Sequence, residues 1–243
     1  MNILLLTKSK KYTCKLIETI KNRHHIAAVV CKNREILENT QMKELCDANN
    51  IPVISNNEMY AMLKARQMPK IDLAISNTYG RLIRSPLIDW VNGNCINLHG
   101  AVLPDYKGLF TYNHGLLNNE TTWGVTAHYV NERFDAGDII EIRRFQIDPE
   151  NISVLELENL AQKTAYELTL SLIERWEKEG PLCGIAQMEQ GNYYSREDFE
   201  AAKEVKITDA ADVVKRKIHA FWCPPYEGAY IVIDGERFQL MEK

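Results

Sequence analysis

Short apolar runs alternate with longer amphipathic stretches through the first hundred residues. NILLLT (2–7), IAAVVC (26–31), IPVI (51–54), IDLAIS (71–76) and NCINLH (94–99) each read as a strand with little polar interruption. Residues 10–23, 34–48 and 57–67 lie between them and read as helices. Buried strands separated by helices of about 10–15 residues predict βαβ units and a parallel sheet covered on both faces. The pattern changes at residue 122. TWGVTAHYV (122–130) alternates apolar and polar positions, and DIIEIRRFQI (138–147) follows the turn DAGD. Two longer, partly exposed strands paired antiparallel are expected there. A long helix is expected over 153–178, opened by Ser153 with Glu156 three places on and closed by Gly180-Pro181. Beyond it come a helix over 209–221, with Thr208 as its N-cap, and a hairpin turning at Asp234-Gly235. The fold class predicted is α/β: a Rossmann-like, parallel-to-mixed sheet with flanking helices over 1–180, and a small C-terminal subdomain with a β-hairpin over 181–243.

Composition narrows the partners. The chain has 243 residues, 45% of them apolar, enough for a sizeable core. A net charge of −4 gives no nucleic-acid footprint. The six cysteines (Cys14, Cys31, Cys46, Cys95, Cys183 and Cys223) are scattered without a CxxC pair, so they read as free thiols of a reducing compartment and not as metal ligands. MNILLLTKSKK reads as a first strand and not as a signal peptide, and no run approaches the roughly 20 apolar residues of a membrane span. A cytoplasmic protein with no membrane partner is the expectation.

The chemistry concentrates in NCINLHGAVLPDYKG (94–108). In a strand, positions i and i+2 face the same way, so Asn97 and His99 point together. Ligands of such sheets bind outside the carboxyl ends of the strands, where this pair sits. Asp135, in the Gly-containing turn of RFDAGDII, can stand beside a histidine, fix its tautomer and favour its charged form. Asn97 supplies an amide N–H for an oxyanion. Together the three suit direct acyl transfer to an amine without a serine or cysteine nucleophile. The alternative is a satisfied polar pair in the wall of a core. Cys95 reads as packing, Trp90 and Trp176 as core anchors, His114 and His128 as structural, and His24 and His25 as surface residues.

N-x-H-G-x-x-L-P-x-x-x-G followed by D-A-G-D resembles the folate-dependent formyltransferases, closely over 71–142 and more loosely from residue 1. The resemblance implies a catalytic trio of Asn97, His99 and Asp135 and 10-formyltetrahydrofolate as formyl donor. It also implies that two loops hold the pterin ring largely through backbone groups. Those loops correspond to YGRLI (79–83), with Tyr79, Gly80, Leu82 and Ile83, and NERFDA (131–136), with Asn131, Glu132 and Phe134. Leu82 and Ile83 are expected to sandwich the flat ring.

Among the branches, the chain most resembles the nucleotide-sugar N-formyltransferases, whose C-terminal part carries an aromatic, Pro-rich phrase and a hairpin. HAFWCPPYEGAYIVIDGERF (219–238) looks like that phrase, and its Phe221, Trp222 and Tyr226 offer flat apolar surfaces. Trp222 and Tyr226, with Lys8 (near Lys10 and Lys11) and Lys107, are the expected contacts to a nucleotide-linked amino sugar. The glycinamide ribonucleotide branch typically has a GxGSN turn where this chain has TKSKKYT. The methionyl-tRNA branch carries a basic β-barrel that the residues after 180 do not resemble. Hydrolases of the donor carry an extra regulatory domain, and a non-catalytic binding module has no need of the trio. The exposed face of the later strands suits a homodimer.

Overall fold

The computed structural model describes residues 1–32, 40–188 and 191–241. In chain order the elements are β1 (Asn2–Thr7), α1 (Lys11–Ile20), β2 (His25–Cys31), α2 (Gln41–Ala48), β3 (Val53–Ser55), α3 (Asn56–Lys64), β4 (Leu73–Asn77), α4 (Ser85–Trp90) and β5 (Cys95–His99). Then follow β6 (Tyr106–Gly108), α5 (Thr111–Leu117), β7 (Thr122–Tyr129), β8 (Ile139–Gln146) and α6 (Val154–Glu179). The chain ends with β9 (Asn192–Tyr194), α7 (Arg196–Ala202), β10 (Glu204–Val205), α8 (Ala211–Phe221), β11 (Tyr230–Ile233) and β12 (Glu236–Gln239). Of the helix expected over 34–48, residues 34–39 lie outside the described residues, and α2 accounts for the rest.

Seven strands form one sheet in the order β3-β2-β1-β4-β5-β7-β8. The first five run parallel. β7 is antiparallel, with Asn97 opposite His128 and His99 opposite Thr126. This is the α/β, Rossmann-like fold read from the sequence. β7 and β8 are neighbours in the sheet, as expected, and β7 also pairs antiparallel with β5. The apolar runs match their strands because both faces are covered. Leu4, Leu5 and Leu6 are buried, worth about 2 kcal/mol each by area. Ser55 caps α3 in a reciprocal box with Glu58, and Ser153 with Glu156 does the same for α6.

The contacts group into two compact units, one of Met1–His99, Thr126–Ile142 and Lys163–Gln187, the other of Gly100–Val125, Arg143–Gln162 and Met188–Lys243. That grouping is interleaved along the chain, whereas the sequence reading divides it once, after residue 180. In the first unit a core joins β1, β2, β4 and β5 to α3 and α4, and Trp90 packs on it half-buried. His24 is buried there, not on the surface, and burial lowers its pKa. In the second unit Tyr106, Trp123, Leu157 and Phe221 share a core. β10, β11 and β12 form a small sheet there, with the expected hairpin at Asp234-Gly235. Both turn residues have positive φ, as a two-residue hairpin of this kind requires. Thr208 is not the cap of α8; the chain enters the helix through Ala210 without a side-chain cap.

His114 lies buried on α5, its ring stacked on Tyr194 at 4.0 Å. Its Nε2 has no partner among the described residues. Burial lowers its pKa, and nearby Asp198 offsets only part of that. As pH falls through about 6.5 the unfolded chain takes up a proton that the buried ring resists, so stability present at neutral pH is lost on acidification. His114→Phe keeps the stack and removes the titration. Thermal melts between about pH 7.5 and 5 should show a smaller acid loss in this variant than in the parent. An equal loss would show that the ring does not carry the effect.

Candidate active site

Asn97 and His99 share one face of β5, and His128 joins them from β7 as the residue opposite Asn97. The Asn97 Nδ2 lies 3.1 Å from His128 Nε2, and His128 Nδ1 lies 2.8 Å from the Tyr129 carbonyl oxygen. Nδ1 therefore donates to the carbonyl and Nε2 accepts from the amide, a tautomer assigned from its partners. One of the two amide N–H groups of Asn97 is used in this way. The carboxylate of Asp135 completes the group, its Oδ1 3.5 Å from His99 Nδ1 and 3.7 Å from His128 Nε2. The His99 and Asp135 side chains are only 10% and 11% exposed. The structure thus brings Asn97, His99 and Asp135 together, and adds His128, which the sequence reading set aside as structural. The available signal was the alternation in TWGVTAHYV, but it fixes no partner strand.

The chain leaves β7 level with Cys95, where the Val130 N–H bonds the Cys95 carbonyl. Asp135 nevertheless reaches His99, four residues further along β5, so the turn folds back over the sheet face. Asp135 itself takes a left-handed φ of +50°, which aspartate tolerates at a cost of about 1 kcal/mol. A Cβ on Gly137 would collide with the Tyr129 carbonyl oxygen, so the glycine permits the turn to lie against the strand. Gln187 Nε2 donates to the carbonyl oxygens of Asp135 at 3.0 Å and Gly137 at 2.7 Å.

The two expected ring-binding loops are both in this unit. Gly80 is exposed with φ +68° after β4, and a Cβ there would touch Lys8 Cε and Nζ at 3.7 Å. The sheet order reverses between β1 and β4, the place where such sheets hold ligands beyond their strand ends, and Lys8 and Gly80 follow those two strands. Tyr79 and Ile83 are core residues, and Tyr79 donates its hydroxyl to Asn56 Oδ1 at 2.7 Å. The expected sandwich of Leu82 and Ile83 is corrected accordingly: the Ile83 side chain is committed to the core, and Leu82 is half-buried. In the second loop Asn131 Oδ1 accepts from the Arg133 N–H, Glu132 accepts from the Ser85 hydroxyl, and Phe134 is 47% exposed.

Lys107, Trp222 and Tyr226 belong to the other unit. Lys107 is half-buried on β6 opposite Tyr193 of β9, Trp222 is half-buried at the end of α8, and Tyr226 is 75% exposed. Phe221 is buried in that unit's core and offers no free face. Gly100, which follows His99, is explained there too: a Cβ would collide with the Tyr112 hydroxyl. Cys95 is fully buried, and burial pushes its thiol up to about 12, which leaves no thiolate for nucleophilic attack at neutral pH. Among the described residues no three potential metal ligands cluster, and no helix is long and apolar enough to cross a membrane.

A Rossmann-like sheet carrying a paired amide and imidazole beside a buried carboxylate has the parts of an acyl-group transferase. Comparison with known proteins is specific about the group. The formyl transferase family model matches residues 1–173, and the chain belongs to that family of formyl-transferring enzymes, as the N-x-H-G motif implied. A methionyl-tRNA formyltransferase of Anaplasma marginale is 25% identical over 252 residues, covering 100% of this chain and 80% of that protein. A 4-N formyltransferase from Francisella tularensis has the same fold, with a TM-score of 0.80 and 19% identity over 100% of this chain and 97% of its own. The N-formyltransferase from Helicobacter canadensis, solved with folinic acid and dTDP-3-aminofucose, has a TM-score of 0.77 and 22% identity over 98% of this chain and 86% of its own. That folate ligand is in line with the expected donor.

Two substitutions test this geometry. Gly137→Ala should cost about 1–3 kcal/mol in denaturant unfolding and lower turnover, because the turn must move off Tyr129. Cys95→Ala should keep turnover within about threefold while losing some stability to the cavity. Loss of turnover in a folded Cys95→Ala protein would return the thiol to the chemistry.

Proposed function

We propose that this chain transfers the formyl group of 10-formyltetrahydrofolate to the amino group of a nucleotide-linked amino sugar. The observation that carries the acceptor is the likeness to the Helicobacter canadensis N-formyltransferase, solved with dTDP-3-aminofucose, which covers 98% of this chain. The Francisella tularensis 4-N formyltransferase matches the fold over the whole chain, past residue 173, and adds support for an N-formyl transfer.

The residues present fit the donor. Gly80 lets backbone approach closely, and the exposed Phe134 ring lies in the loop next to Asp135, so a flat heterocycle can lie between the two loops. Tyr79, Leu82, Ile83, Asn131 and Glu132 shape those loops more than they offer side chains. The donor supplies an activated formyl group. Asn97 has a second amide N–H to offer the formyl oxygen as negative charge builds on it, and the His99 ring offers another. Asp135 orients His99, balances positive charge on the ring and assists removal of the proton from the attacking amine. His128 holds the Asn97 amide in its orientation. Lys8, in the unit that holds the trio, is assigned to the acceptor's diphosphate. Cytoplasmic location and a homodimer formed through the later strands complete the reading.

Sequence likeness to the Anaplasma marginale protein favours a second acceptor, methionyl-tRNA. Tetrahydrofolate release should be followed with 10-formyltetrahydrofolate and a panel of nucleotide-linked amino sugars, methionyl-tRNA and glycinamide ribonucleotide. Release dependent on one amino sugar is expected; release dependent on methionyl-tRNA alone would overturn the acceptor. His99→Ala should lower that rate on the order of 10²-fold or more while melting like the parent. A loss smaller than about tenfold would remove His99 from the chemistry.

A further inference from the structure

We infer that Gln187 is the positioning residue that holds the Asp135 carboxylate against His99. Its Nε2 spans two of the turn's carbonyl oxygens, those of Asp135 and Gly137. Those carbonyls bracket Ala136 and follow the left-handed residue, so the two bonds fix the peptide orientations that aim the Asp135 side chain. Gln187 reaches the turn because residues 182–185 are themselves anchored beside it. Tyr129 donates its hydroxyl to the Leu182 carbonyl at 2.7 Å, and Ile185 exchanges two backbone bonds of 2.8 Å with Ile139. A Cβ on Gly184 would lie 2.8 Å from Asp138 Cβ, so the segment packs tightly on the far side of the same turn. None of these anchors uses the Gln187 side chain.

The other end of the amide is costly. Gln187 Oε1 is buried and has no hydrogen-bond partner among the described residues. A buried unpaired acceptor offsets much of what two donated hydrogen bonds contribute, so the side chain adds little net stability. What it provides is geometry. An apolar residue of similar length would avoid the orphan and leave the turn free to swing. The role in turnover rests on the formyl-transfer reading above; the placement of Asp135 does not.

The test uses the full chain carrying ¹⁵N-labelled histidine. Gln187→Ala, Gln187→Met, Asp135→Asn and the Gln187→Met/Asp135→Asn pair are compared at one pH by the ring ¹H–¹⁵N resonances of His99 and by thermal melts. Gln187→Met is included because it keeps side-chain length if the alanine variant fails to fold. The His99 resonances should move toward their Asp135→Asn positions in the Gln187 variants, with melting temperatures close to the parent's. The pair should match Asp135→Asn alone, since a residue acting through the carboxylate has nothing left to place. With an active acceptor, Gln187→Met should lower kcat on the order of 10²-fold and add no further loss to Asp135→Asn. His99 resonances unchanged in a folded Gln187→Met protein, or kcat losses that multiply in the pair, would overturn the assignment. A full rate in Asp135→Asn would instead sink the trio, and the ring resonances would still decide whether Gln187 places the carboxylate.

Discussion

The antiparallel pairing of β7 on β5 is the constraint on which the rest depends. Five parallel strands alone would leave Asn97 and His99 as two polar groups at the end of a buried strand. Running β7 the other way places His128 opposite Asn97 on the same face and delivers the chain to the level of Cys95. From there the DAGD turn brings Asp135 to the histidines before the chain enters β8. The carboxylate of Asp135 then meets both imidazoles within 4 Å. A one-residue slip of β7 would turn His128 to the opposite face and leave the Asn97 amide without its partner.

Such a turn is locally unfavourable. Asp135 sits in the left-handed region, and the peptide at Gly137 lies closer to Tyr129 than any side chain would allow. It persists because the strand on one side and residues 182–187 on the other over-determine it. The long helix α6 therefore does more than cover the sheet: it returns the chain to a place where Leu182, Ile185 and Gln187 can clamp the turn. The site's rigidity comes from backbone groups and one amide, with no demand on cysteine or on a cluster of acids.

Much of this was legible in the residues. β1 spans the run NILLLT residue for residue, and β2, β5, α6 and the Asp234-Gly235 hairpin fall within a residue or so of expectation, because continuous apolar runs, capping residues and turn glycines act locally. The N-x-H spacing pointed at a shared face, and D-A-G-D at a tight turn. What escaped was non-local. Nothing in TWGVTAHYV says that β7 will choose β5, so His128 looked like one more polar residue on an exposed strand. His24 looked like a helix-end cation, yet it is buried beside Glu177 of α6, far along the chain. Phe221 looked like a sugar platform, but the second unit spends it on its own core. Gln187 had no motif at all; only the return of the chain after α6 gives it a role. The two Gly residues at 100 and 137 show the opposite case, where a local signature was visible and its reason, a Tyr hydroxyl and a carbonyl oxygen, was not.

The central claim is that the formyl carbon ends on the nitrogen of a nucleotide-linked amino sugar. Incubating the protein with donor carrying ¹³C in its formyl group, an amino-sugar nucleotide and no other amine, and recording ¹³C spectra over time, tests it directly. The account predicts a new formamide carbon that couples to ¹⁵N when the sugar's amine is so labelled, appearing at the rate that tetrahydrofolate is released. Label that accumulates as free formate, or that moves only when methionyl-tRNA is supplied, would contradict it.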